Sequence, residues 1–240
     1  MLSLHLLIVL SILVNSLNGD FCNFDVKLEQ ELHNEGFHRN LTYMVTFQDI
    51  NKINLYENCY VGLDQILPPG VFASPDELGD LLRMNKVTAI PKNRVNIELP
   101  AEESQPSSVF IIGQVSSGKT NLWLPVHARY HHAAKGGGFY HNVIEKPHVF
   151  IRCPHHELSD CEPRMSQITF LCSGSGKETC IWKEIAVHLL SKTSLQFTVP
   201  IGDLDHYGIV APVTAGAVIV CSLYLLKTLH DYKLGIKKIN

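Results

Sequence analysis

The 240-residue chain lacks the marks of several common functional classes. Its 20 Lys and Arg nearly balance its 23 Asp and Glu, for a net charge of −3, so it has no basic surplus with which to neutralise nucleic-acid phosphates. No two cysteines stand in a C-x-x-C pair, so the usual zinc-site spacing is absent, although His155 and His156 lie close to Cys153 and Cys161. Neither H-E-x-x-H nor G-x-S-x-G occurs, which removes the most recognisable metallopeptidase and serine-hydrolase signatures. The sequence therefore predicts no catalytic residue, no metal, no cofactor and no nucleic-acid partner.

Long apolar runs are confined to the two ends. Residues 4–14 (LHLLIVLSILV) are too short to span a bilayer and are followed by small, polar residues, which predicts a signal peptide over 1–19 even though no Lys or Arg precedes the run. Residues 208–226 carry no charge, and as a helix they would rise about 28 Å, close to the roughly 30 Å of a bilayer's hydrocarbon core. Lys227, Lys233, Lys237 and Lys238 follow at once, so the positive-inside rule puts a tail of residues 227–240 in the cytosol and residues 20–205 in the lumen. This is a single-pass type I topology. A glycolipid-anchor signal would end in the apolar stretch, and this chain continues beyond it. Gly208, Ala211, Ala215 and Gly216 would permit close helix packing in lipid. The ending KKIN makes Lys237 and Lys238 candidates for a dilysine retrieval address to the endoplasmic reticulum, read by a receptor.

Six cysteines, Cys22, Cys59, Cys153, Cys161, Cys172 and Cys180, lie between the two apolar runs, and an even number in an oxidising compartment predicts disulfides. The short 153/161 and 172/180 spacings suggest local loops. Cys221 lies inside the span. Asn40-Leu41-Thr42 is an N-glycosylation acceptor in a lumenal chain.

Between the ends the pattern is mainly β. Residues 37–47, 95–99, 109–115, 122–130, 142–153, 168–172 and 194–199 are β-rich or alternate, and turns such as Pro68-Pro69-Gly70, KGGG at 135–138 and SGSG at 173–176 separate them. This predicts a β-sandwich-like lumenal domain. One short helix is expected over 75–84, with Ser74 as N-cap, Pro75 at the first position and Glu77 able to close a capping box.

Two stretches raise chemistry. GQVSSGKT at 113–120 satisfies every fixed position of G-x-x-x-x-G-K-[ST], a phosphate loop, but that loop works only when a helix leaves from its lysine. Here Leu122, Leu124 and Val126 alternate with Trp123, Pro125 and His127, which is a strand, so the stretch predicts a turn between two strands. His127, His131, His132, His141, His148, His155 and His156 crowd one region, and in a strand His127, Arg129 and His131 would share a face. Metal or acid–base work there is an alternative to ordinary hydrogen-bonded positions.

The segment Leu124-Pro125-Val126-His127-Ala128-Arg129-Tyr130-His131, followed by Pro147-His148-Val149-Phe150-Ile151-Arg152-Cys153, resembles the paired signature of the PIG-X/PBN family. The likeness extends to Gly36-Phe37-His38-Arg39-Asn40-Leu41, to Leu67-Pro68-Pro69-Gly70-Val71-Phe72 with Pro75-Asp76-Glu77-Leu78, and to Cys180-Ile181-Trp182 before Val199-Pro200-Ile201-Gly202. The resemblance implies a non-catalytic subunit of glycosylphosphatidylinositol (GPI) mannosyltransferase I in the endoplasmic reticulum membrane. It also implies a partner, the multi-spanning catalytic subunit PIG-M, which adds the first mannose to the lipid precursor. The KKIN ending departs from the family pattern. A lumenal chaperone or cargo receptor, and a histidine-dependent lumenal enzyme, are the other classes the sequence allows.

Overall fold

The computed structural model describes residues 24–49, 53–155, 165–174, 176–190 and 194–237. Thirteen strands dominate it, in the order β1 (Val26–His33), β2 (His38–Phe47), β3 (Tyr60–Leu67), β4 (Val71–Phe72), β5 (Thr88–Pro91), β6 (Ser107–Gln114), β7 (Lys119–Ala128), β8 (Gly138–Glu145), β9 (His148–Arg152), β10 (Gln167–Leu171), β11 (Thr179–Glu184), β12 (His188–Leu189) and β13 (Ser194–Ile201). Three α-helices join them: α1 (Ile53–Tyr56) before β3, α2 (Pro75–Arg83) after β4, and α3 (Tyr207–Lys237) after β13.

The strands form a five-stranded sheet, β12-β1-β2-β7-β4, a six-stranded sheet, β10-β11-β9-β3-β6-β5, and a ribbon of β8 and β13. Alternation explains the layering. In β2 the residues Leu41, Tyr43, Val45 and Phe47 are buried and their even-numbered neighbours turn outward. They share one core with Val61, Leu63, Val109, Ile111, Val149 and Ile151 of the larger sheet, which is the sandwich-like arrangement the sequence predicts. One buried hydrogen bond joins the sheets: Tyr43 donates its hydroxyl to Gln65 Oε1 at 2.7 Å, and burial raises the Tyr43 pKa well above its ordinary value.

The larger sheet is also covered on its outer face. Phe110, Ile112, Phe150 and Trp182 form a second apolar cluster there, with the Phe110 and Trp182 rings edge to face at 5.2 Å. Gly62 lies directly beneath, and a Cβ at that position would fall 2.4 Å from Phe110 Cζ and 3.1 Å from Trp182 Cε3. Only glycine fits under those rings.

Several expectations change. Residues 95–99 are not a strand: Asn96 folds back so that its Oδ1 accepts from the Glu98 N–H at 3.1 Å, a local turn that competes with sheet pairing. The expected strand over 142–153 divides into β8 and β9 at Pro147, which has no N–H to give a ladder. Strands β1, β3, β4, β5, β11 and β12 lie outside the predicted set.

The cysteines also correct the local-loop expectation in part. Cys153 bonds Cys59, not Cys161, and ties the residue before β3 to the residue after β9, two strands already paired with Tyr60 opposite Arg152. Cys172 bonds Cys180 and closes the β10–β11 hairpin. Cys22 and Cys161 lie outside the described residues, as does the signal peptide expected over 1–19.

The chain divides into two compact units. The first runs to residue 131 and resumes over 141–199; the second combines residues 132–140 with those from 200 onward. Within the second, Ala134 donates its N–H to the Gly202 carbonyl at 2.9 Å and accepts from Leu204 N–H at 3.0 Å, while Asp203 Oδ1 accepts from Gly136 N–H at 3.1 Å. Residues 204–233 meet the length and hydropathy of one membrane span, with a mean hydropathy of 2.2 and none of the window buried by protein. Pro212, Cys221 and the small residues Gly208 and Gly216 lie in α3. Lys237 ends that helix, and Lys238 lies outside the described residues.

Candidate functional site

Register brings the histidines of two distant segments together. Strands β2 and β7 run antiparallel with His38 opposite His127, and β4 lies on the other edge of β7 with Phe72 opposite His127. Directly opposed side chains on one face of a sheet touch. The His38 and His127 rings are 4.6 Å apart, and the His127 and Phe72 rings stack at 5.1 Å.

Helix α2 closes over this ladder. Ser74 caps it, its side chain accepting from the Glu77 N–H at 3.5 Å, and Pro75 occupies the first turn. The sequence suggests that the Glu77 carboxylate completes a capping box. It points elsewhere: Oε2 lies 2.8 Å from His127 Nε2 and Oε1 lies 3.3 Å from His38 Nε2. The three side chains remain 52% (His38), 32% (Glu77) and 30% (His127) exposed, so water reaches them.

Arg129 takes the opposite character. It is 5% exposed, its Cζ lies 4.6 Å from the Phe72 ring centre, and its Nη1 donates to the Leu99 carbonyl at 2.8 Å. Its own N–H donates to the Gly70 carbonyl at 2.8 Å. Burial lowers the guanidinium pKa from its ordinary value. His131 parts from the other two: its Nδ1 lies 3.2 Å from Glu102 Oε1, beyond the end of β7. His127 and Arg129 therefore meet at Phe72, while the expected three-residue face is not formed.

The rest of the signature strand is structural. Leu124 is fully buried in the shared core, Pro125 is buried opposite Asn40, and Tyr130 is 74% exposed with its ring 4.8 Å from that of Phe37. Asn40 lies half-buried on the outward face of β2, between His38 and Thr42. Glu77 and Phe72 are the members of this cluster that reasoning from the histidines alone misses. The β-turn and helix-cap signals that flank them are legible, but their convergence on β7 is a matter of strand order.

GQVSSGKT is a tight turn between β6 and β7. Ser117 and Gly118 both have positive φ, 52° and 71°, and Ser116 and Lys119 exchange backbone bonds at 2.9 and 3.1 Å. The Ser117 N–H donates to Glu57 Oε2 at 2.8 Å, so a carboxylate already holds a donor that a phosphate loop would offer its ligand. Lys119 opens a strand, so the helix that a phosphate loop sends out from its lysine is replaced by β7.

Among the described residues, the trio His38, Glu77 and His127 is the one group in which three metal-ligating side chains converge. Among the described residues, the side-chain hydrogen bonds of both imidazoles in that group go to Glu77.

The chain is similar over most of its length to proteins of known name. Three curated relatives, from mouse, rat and human, bear the name "GPI alpha-1,4-mannosyltransferase I, stabilizing subunit". The mouse protein is 30% identical over 213 residues, covering 87% of this chain and 82% of the relative. The rat and human proteins are 29% and 27% identical over the same length, covering 83% and 81% of the relatives. No solved structure matches the chain. The family model described as PIG-X / PBN1 matches residues 34–230, a stretch that holds His38, Glu77, His127, the Cys59–Cys153 and Cys172–Cys180 bonds and most of the apolar helix, and the chain belongs to that family.

Proposed function

We propose that this protein is the non-catalytic, stabilising subunit of GPI mannosyltransferase I, that it holds the multi-spanning catalytic subunit PIG-M, and that it thereby supports transfer of the first mannose to the GPI precursor. The observation that carries this reading is the match to relatives of that name over 87% of the chain. The geometry agrees in kind. A β domain and one apolar helix offer surfaces for a partner, and the His38, Glu77 and His127 cluster is a carboxylate set between two imidazole rings.

The same reading puts the chain in the endoplasmic reticulum membrane as a single-pass type I protein, its β domain lumenal and its lysine-rich tail cytosolic. The Cys59–Cys153 and Cys172–Cys180 bonds support an oxidising compartment for that domain. The dilysine at Lys237 and Lys238 would then return escaped protein to that membrane.

The test is deletion and capture. In cells lacking this protein, the catalytic subunit and surface GPI-anchored proteins should both fall, and a tagged copy purified in mild detergent should bring the catalytic subunit with it. Undiminished, active catalytic subunit in the null cell would refute the proposal. Capture of varied clients without the mannosyltransferase would favour a chaperone or cargo receptor instead.

A further inference from the structure

We propose that His38, Glu77 and His127 form a zinc site that clamps α2 onto the β2–β7 pair, an inference independent of the function proposed above. It begins with a convergence of donors. Each imidazole directs Nε2 at a different oxygen of one carboxylate, at 3.3 and 2.8 Å. A bare ring nitrogen facing a carboxylate oxygen repels it, so each short contact must contain a proton or a metal cation. Neutral Nε2–H tautomers would make both contacts ordinary hydrogen bonds, and a metal ion bound by the same two nitrogens would take the place of those protons.

One divalent ion fits the same three donors. The donor atoms all lie within 4.8 Å of one another. Tetrahedral zinc with ligand bonds of about 2.1 Å needs donor separations of roughly 3.4 Å, so small side-chain rotations suffice. Two imidazoles and one carboxylate suit zinc, whereas calcium and magnesium require oxygen donors throughout. The open, partly exposed side of the cluster leaves a fourth position for water. The scaffold is firm: the two histidines are paired across adjacent strands, Phe72 packs against the His127 ring, and Ser74 fixes the helix turn that presents Glu77. Joining three elements that are well separated in sequence is how a metal adds to the stability of a fold.

The full chain, purified in mild detergent and stripped with a chelator, should take up one equivalent of Zn2+ by elemental analysis and unfold at a higher temperature when Zn2+ is restored. Co2+ in its place should give the visible absorption of a four-coordinate site. Replacing His38 with Ala or Glu77 with Gln should weaken Zn2+ binding at least about a hundredfold, since even a lost outer partner of a ligand typically costs ten to a hundred. Both variants should also lose the zinc-dependent thermal shift. His38 is about half exposed, so His38→Ala keeps the fold and separates loss of a ligand from loss of structure. Folded wild-type protein that binds no more Zn2+ than His38→Ala, or a thermal shift that survives Glu77→Gln, would overturn the proposal and leave a proton-bridged network.

Discussion

Replacing Arg129 with Ala should be among the most damaging single changes near β7, and its size can be worked from the contacts. The guanidinium makes a charge-assisted hydrogen bond to the Leu99 carbonyl at 2.8 Å, a contact typically worth about 1.5–3 kcal/mol. It also lies 4.6 Å from the Phe72 ring centre, which adds roughly 0.5–2 kcal/mol when desolvated. The expected loss is therefore about 2–5 kcal/mol, or on the order of 4–20 °C in unfolding midpoint at about 2–4 °C per kcal/mol. Arg129→Met keeps the apolar stem and relieves the cost of burying the charge, so it should fall at the low end. Arg129→Lys should not rescue, because a lysine cannot lay a planar fork on the ring while reaching Leu99. The assay is thermal unfolding of the full chain in detergent, paired with amide hydrogen exchange of residues 92–104, whose backbone Arg129 holds. An Arg129→Ala protein with an unchanged midpoint and unchanged exchange in that segment would refute the reasoning.

Other perturbations read separate parts of the structure. Gly62→Ala would drive a methyl to within 2.4 Å of Phe110 Cζ and should cost about 1–3 kcal/mol or more, seen as a lower unfolding midpoint. Cys59→Ser opens a link across 94 residues of sequence and should cost roughly 4–5 kcal/mol, measured as heat or denaturant sensitivity against a reduced control. The Glu184 carboxylate is held below its ordinary pKa chiefly by its hydrogen bond with His148 at 2.8 Å, so it contributes stability above the unfolded carboxylate value that is lost as pH falls through the lower folded value; Glu184→Gln should remove that acid-side loss from a pH series of unfolding midpoints. Asn40→Gln should increase electrophoretic mobility to that of the glycosidase-treated wild type, and no change would remove the glycan from this position. Lys119→Ala should leave the abundance and activity of the catalytic subunit intact; strong loss of activity at normal protein level would reopen the phosphate reading.

Much of the domain was legible because burial on one side writes itself as alternation. Leu41, Tyr43, Val45 and Phe47 announce β2 in this way, and Ser74-Pro75 announces α2. Strand β6 was legible for a different reason: as a strand covered on both faces it reads as a continuous apolar run, SVFII. What stayed hidden was pairing. Tyr60-Val61-Gly62-Leu63 has a glycine where a strand residue would normally pack, and the reason, the Phe110 and Trp182 rings above it, comes from β6 and β11, far away in the sequence. The Cys59–Cys153 bond was hidden for the same reason, since proximity in sequence favours Cys161 and only the β3–β9 register favours Cys59.

The candidate site shows the two sides of this most clearly. Every residue in it stood in a short segment that the sequence marked: His38 in GFHRNL, Phe72 in LPPGVF, Glu77 in PDEL, His127 and Arg129 in LPVHARYH. Nothing local said that these four segments meet. The phosphate-loop pattern misleads by the opposite route, because its fixed positions match and the element that must follow them does not. Both cases turn on strand β7. By running on from Lys119 as a strand it denies GQVSSGKT a helix, and by pairing with β2 on one edge and β4 on the other it sets His127 between His38 and Phe72 under Glu77. A change that shifted β7 by one residue would turn His127 inward and Thr120 outward at once. The site and the turn should therefore fail together, while a change confined to Lys119 or to His38 should disturb only one of them.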